Sequence, residues 1–245
     1  MGIRKGSIST PIIADGLVFN IDAANRASYP AQRTFAIAES GSCYNTLDLT
    51  QSGSLTSDPQ FITQPVSASC WIFDGVDDVI LSNAQLTDDM SICGWQKSTY
   101  QGASDSFYYP NSTFSFGISF GSSYYLGRLW APYGSQTSLR VITGGPSNWG
   151  SEGTTELNDG DWHYVAYTFK KSSYTSKAYV DGNFESERSI PTYLAYSNRP
   201  INLGNFGSGT NQYWKGDISN VHAYNRALSA NEVLHNYNAL KGRFI

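Results

Sequence analysis

The sequence predicts an all-β fold closed by one short C-terminal helix, and three observations carry that expectation. Of 245 residues, 14% are aromatic and only 15% charged, with 23 Gly and 17 Tyr. That composition suits many short strands joined by tight turns, not helices rich in Ala, Leu, Glu and Lys. Asp-Gly steps at Asp159-Gly160 and Asp181-Gly182 bracket Trp162–Phe169 and Lys177–Val180, runs dense in aromatic and β-branched residues, as adjacent hairpin strands require. Near the C-terminus, Ser229 and Glu232 have capping-box spacing, while Leu228 and Val233 have the spacing of a hydrophobic staple.

Taken in order, residues 1–14 are polar and lack period-two alternation, so they read as an extended N-terminal arm; the folded domain spans 15–245. Leu17–Asp22 alternates as a first strand. Residues 23–69 are weakly patterned and punctuated by Tyr29-Pro30, Asp58-Pro59 and Gln64-Pro65, so long loops with at most short strands are expected there. Two apolar runs in Cys70–Leu81 flank a turn, and Met90–Trp95 places Met90 and Ile92 on one face against Cys93 and Trp95 on the other. Further strands are expected within Thr113–Phe120, Tyr124–Ala131 and Leu139–Thr143, with Ile201–Phe206 and Trp214–Tyr224 after the central hairpin. The step of three from Ile218 to Val221 breaks alternation and predicts a bulge near Ser219-Asn220. A helix should run from Ala230 to Leu240, burying Val233, Leu234, Tyr237 and Leu240 and stopped by Gly242.

Charge and cysteine usage narrow the function classes. A net charge of −4 without clustered Lys and Arg gives no footprint for nucleic acid or anionic lipid. The N-terminus lacks the apolar run of a signal peptide, and no stretch is built for membrane insertion. Cys43, Cys70 and Cys93 cannot all pair within one chain and lack Cys-x-x-Cys spacing, so they read as small buried hydrophobes of a reducing compartment.

The Trp162-His163-x-Val165-Ala166 and Tyr179-Val180-Asp181-Gly182 pattern, with Phe73-Asp74-Gly75-x-Asp77-Asp78, resembles the laminin G-like branch of the concanavalin A-like lectin/glucanase superfamily. The resemblance implies a two-sheet antiparallel jelly-roll β-sandwich. The opening, Asp15–Asn25 with Ser28-Tyr29-Pro30, and the ending, Asn236–Phe244, are similar to structural proteins of tailed bacteriophages, especially cyanophages. That similarity implies a virion protein made in the host cytoplasm, forming a homo-oligomer with other virion proteins as partners and a host surface glycan as a candidate ligand.

Catalytic text is sparse. Glucanase relatives carry closely spaced acids on one strand face, whereas Glu156-Leu157-Asn158-Asp159 has Asn in place of the middle acid. His163, His222 and His235 lie in strand or helix patterns, and no Gly-x-Ser-x-Gly, phosphate loop or His-Glu-x-x-His is present, so the chain is expected to be no enzyme. Calcium is the candidate metal, with Asp74, Asp77 and Asp78 on one turn and Asp159 and Asp161 on another as hard oxygen ligands. Asp at turns also bonds its own backbone, which is the alternative reading. For glycans the candidates are Tyr109, Trp130, Tyr133, Asn148 and Trp149, aromatic and amide groups in turn-rich stretches that suit sugar stacking, protein interfaces or local packing. A virion component such as a capsid decoration, neck or fibre protein is the first expectation; a free-standing lectin is the second, and a glycoside hydrolase relative the third.

Overall fold

The computed structural model describes residues 11–30, 37–38, 41–57, 59–62, 69–99, 112–116, 128–130, 138–142, 149–189, 199–204 and 213–245. Its strands in chain order are β1 (Leu17–Asp22), β2 (Ile37–Ala38), β3 (Gly41–Asn45), β4 (Asp48–Thr56), β5 (Gln60–Ile62), β6 (Cys70–Asp74), β7 (Val79–Leu86), β8 (Met90–Lys97), β9 (Ser112–Phe116), β10 (Arg128–Trp130), β11 (Ser138–Ile142), β12 (Trp149–Glu156), β13 (Trp162–Lys170), β14 (Thr175–Val180), β15 (Asn183–Ser189), β16 (Arg199–Leu203) and β17 (Lys215–Tyr224), followed by helix α1 (Ala230–Leu240). The first sheet runs β15-β14-β13-β8-β17-β6-β5-β2, with β1 also paired to β17. The second runs β12-β11-β10-β9-β16-β7-β4-β3. Every described pairing is antiparallel, and the two sheets form a jelly-roll sandwich.

Two apolar layers follow from this order. Between the sheets lie Phe19, Ile21, Trp71, Ile92, Val165, Tyr167 and Val221 from the first sheet, against Leu55, Ile80, Leu86, Ile201 and Leu203 from the second. On the outer face of the first sheet, Cys93, Trp95, Trp162, Tyr164, Tyr179 and Tyr224 pack with Leu228, Val233 and Phe244 of the C-terminal segment. Strands β8, β13 and β17 are therefore covered on both faces, which is why their residues are buried almost without alternation. Ser91 fits this dry setting because its hydroxyl donates to the Arg226 carbonyl and accepts the Leu228 amide, both at 2.8 Å.

The central hairpin forms as expected. Asp181 and Gly182 both take positive φ, 50° and 79°, the geometry of a tight turn whose twist matches the flanking strands. The bulge is present: β17 pairs Ile218 with Gln96 and resumes only at Val221 with Gly94. It divides one edge of β17, with β6 along Lys215–Ile218 and β1 along Asn220–Tyr224. Ser229 caps α1 in a capping box with Glu232, and the stapling residues Leu228 and Val233 are both buried.

Three expectations are corrected. The stretch read as long loops contains β4, nine residues long, legible poorly because only Gly53 and Leu55 of it are buried. A Cβ at Gly53 would sit 2.6 Å from Ile80 and 2.9 Å from Cys43, so close strand packing replaces the missing side-chain signal. Leu234 is 40% exposed, and Asn236 holds the buried position on α1 through hydrogen bonds. Gly242 does not end the helix in a left-handed cap; Lys241–Arg243 continue as a 3-10 turn. All three cysteines are buried and unbridged, and burial raises each thiol, Cys43 and Cys93 to about 12.

Candidate functional site

Between β6 and β7 the chain turns at Gly75, φ 84°, and the turn gathers Asp74, Asp77 and Asp78 so that one oxygen from each lies within 4.8 Å of the others. Asp78 Oδ2 accepts the Asp74 amide at 2.8 Å, and Asp74 Oδ1 accepts the Val76 amide at 2.7 Å. These bonds explain why Asp suits the turn without any ion. Asp78 is buried, however, and burial together with the flanking Asp74 and Asp77 charges pushes its carboxyl up to about 7. The turn is thus short of positive charge, and its hard oxygens fit calcium better than a softer metal.

The second acidic turn is engaged differently. Asp159 Oδ1 accepts the Asp161 amide at 2.9 Å, and its two oxygens stand 3.2 and 3.3 Å from His163 Nε2. His163 Nδ1 stands 2.8 Å from Asp181 Oδ2, and Asp181 Oδ1 accepts the Tyr164 amide at 2.8 Å. Burial pulls the His163 pKa down, but the two carboxylates outweigh it and the net direction is up. Only the imidazolium can donate to both acids at once. Among the described residues Asp159 and Asp161 join no metal-like cluster; Asp159 is engaged with His163 instead.

The other histidines are also occupied. His222 is fully buried, and burial pushes it down to about 3, so it is neutral. Its Nδ1 lies 2.8 Å from Asn220 Oδ1, which can only accept; Nε2 therefore accepts from the Tyr164 hydroxyl at 2.8 Å. His235 Nε2 donates to the Pro11 carbonyl at 2.9 Å.

Tyr109, Tyr133 and Asn148 lie outside the described residues. Trp130 and Trp149 are placed by backbone register on the two strands flanking β11, Trp130 opposite Arg140 and Trp149 opposite Ile142.

An open cleft of about 500 Å³, which the sequence did not announce, lies between the outer face of the first sheet and the entry to α1. Thr168 and Lys170 of β13, Thr175, Lys177 and Tyr179 of β14 and Glu187 of β15 form its floor, with Ala227–Ala230 and Glu232 as the wall. Strand pairing explains the floor: Thr168 is opposite Lys177, Lys170 opposite Thr175, and Lys177 opposite Glu187. Period-two alternation within β14 hints at such a face, but no single stretch contains the site.

Among solved structures, the chain is similar to domain 4 of AbnA, a GH43 extracellular arabinanase from Geobacillus stearothermophilus in complex with arabinotriose. The TM-score is 0.60 at 16% identity, covering 90% of this chain and 98% of that one. It is similar also to Trypanosoma rangeli sialidase in complex with sialic acid, with TM-score 0.65, 14% identity and 96% of this chain covered, though the match spans only 36% of the sialidase. A heptameric SAP-like pentraxin from Limulus polyphemus matches at TM-score 0.50 and 14% identity over 66% of this chain and 78% of the pentraxin. At these identities the likeness concerns the fold alone. No curated protein matches in sequence. A laminin G-type family model matches residues 73–234, more than half of the chain and most of both sheets, and the chain accordingly belongs to the concanavalin A-like lectin/glucanases superfamily.

Proposed function

We propose that the chain is a non-enzymatic structural component of a tailed-phage virion, a capsid decoration, neck or fibre protein, which docks to other virion proteins as a homo-oligomer and presents a glycan-binding surface. The observation that carries the virion reading is the meeting of the two phage-like motifs. Arg243 of the closing motif grips Asp22 of the opening motif through two hydrogen bonds of 2.7 and 2.8 Å. Next to them Asn236 accepts the Ile13 amide at 2.8 Å, and the Tyr224 hydroxyl donates to the Ile13 carbonyl at 3.0 Å. The resemblance at the two ends thus describes one docked unit.

A non-enzymatic role is supported by how the acids and imidazoles are spent. A retaining glycosidase needs two carboxyls about 5 Å apart and free to act on the substrate. Asp159, the acid nearest Glu156 in sequence, instead holds His163 and the Asp161 amide. Asp74, Asp77 and Asp78 are the residues that would hold calcium, which would supply the positive charge that Asp78 lacks. A free-standing lectin is the second reading, favoured by the near full-length likeness to an arabinanase domain in complex with arabinotriose.

Mass spectrometry of purified particles from the phage encoding the chain tests the virion reading. The expected result is a reproducible, stoichiometric copy number; absence from washed particles would overturn it in favour of the lectin.

A further inference from the structure

The cleft beside α1 holds polar groups that the fold leaves unused. Tyr179 is 2% exposed and Thr168 3%, yet neither hydroxyl has a hydrogen-bond partner among the described residues. Their side chains are packed into the sheet, and the hydroxyl oxygens keep access to solvent through the cleft, so a ligand hydroxyl can replace water there. Both line the cleft, where an incoming group can reach them.

Two lysines line the cleft, and they are engaged differently. Lys177 is held by Glu187 at 3.0 Å, while on the wall Glu232 pairs with Arg226 through bonds of 3.1 and 2.7 Å, and Arg226 also meets Asp15 at 2.8 Å. Lys170 is exposed and has no acidic partner among the described residues. Facing it, α1 begins at Ala230, whose amide is one of the first-turn donors that the cap does not satisfy, at the positive end of the helix dipole.

We infer that this cleft is a saccharide site for an acidic oligosaccharide, one whose sugars carry carboxylates. Tyr179 and Thr168 bond sugar hydroxyls, and Lys170 with the helix entry takes the carboxylate. The inference rests on the reading of the chain as a glycan-presenting module, but its residues differ from Trp130 and Trp149.

Calorimetric titration of the full chain with trigalacturonate, and with neutral arabinotriose for comparison, tests it. Trigalacturonate should bind more tightly than arabinotriose. Lys170→Gln should weaken trigalacturonate about tenfold, as loss of a charged partner does, while leaving arabinotriose unchanged. Tyr179→Phe should weaken both sugars several-fold. Its melting temperature should hold, since the hydroxyl has no internal partner. Loss of binding on Trp149→Ala with none on Lys170→Gln or Tyr179→Phe would overturn the cleft while keeping the glycan-presenting reading. Equal affinity for the neutral sugar would overturn the charge assignment. No binding of either sugar by the intact chain would overturn both the cleft and the glycan surface, leaving the virion role to the particle measurement.

Discussion

Asp78 and His163 are residues where burial and charge oppose each other, and each has a consequence that pH can expose. The Asp78 carboxyl is raised to about 7, so between the ordinary carboxylate range and pH 7 the folded chain keeps a proton that the unfolded chain has lost. Its contribution to stability is present at acid pH and falls away as pH rises towards 7. His163 is raised as well, so its contribution is complete below the ordinary histidine value near 6.5 and is lost as pH climbs through the folded value. Both slopes have the same sign, and substitution separates them. Melting temperature measured from pH 5 to 8 should fall for the wild type, less steeply for Asp78→Asn and less steeply for His163→Gln. Millimolar calcium should raise the wild-type melt at pH 8 and leave Asp78→Asn unmoved; equal shifts in the two would place the ion elsewhere. The acidic turn was legible because its three acids are close in sequence. The His163 clip was less so: Asp159 is four residues away, but Asp181 arrives from the next turn, and only the β13-β14 pairing brings it within 2.8 Å.

Among the elements, α1 was read from local chemistry alone, since capping box and staple are contained in a few consecutive residues. Its buried face was read less well, because hydrophobicity favours Leu234 over Asn236, while the position demands hydrogen bonds. Asn236 accepts from the Ile13 amide and donates to the Tyr224 hydroxyl at 2.9 Å. Ser229→Ala should lower stability by about 1 kcal/mol, and Asn236→Leu should cost more than Leu234→Ala despite added apolar bulk, because Asn236 is fully buried with its partners. Deleting 229–245 uncovers Trp95, Trp162 and Tyr164, and should leave a protein that aggregates or melts far below the intact chain. An unchanged melt would remove α1 from the fold. Strand β4 was missed for the opposite reason, since a polar strand with a required glycine carries little text. Gly204 is a sharper case: φ is 84° and a Cβ would lie 2.5 Å from the Phe73 ring and 2.7 Å from the Asp78 carbonyl. Gly204→Ala should therefore cost about 2 kcal/mol or more, by strain and clash together, read by denaturant unfolding.

Among the described residues, the first sheet is the scaffold, covered on one face by the second sheet and on the other by Ile13, Leu17 and the C-terminal segment from Leu228 to Phe244. This arrangement was legible in outline, because the strands announce themselves by β-branched and aromatic runs. The surfaces were not, since a cleft such as the one beside α1 collects residues from three strands and a helix entry. Arg243→Ala should cost about 1 kcal/mol, a partly exposed two-bond ion pair being worth little more. Removal of residues 1–10 leaves the contacts of Pro11 and Ile13 to His235 and Asn236 in place, and should lower incorporation into particles if the arm docks a neighbour. Recognition without chemistry is the claim that joins these scales. It is tested most directly by incubating the purified chain with laminarin, xylan and polygalacturonate while following bound polysaccharide and released reducing ends together. Retention of the acidic polymer with no release is predicted; reducing-end release abolished by Glu156→Gln or Asp159→Asn would contradict it.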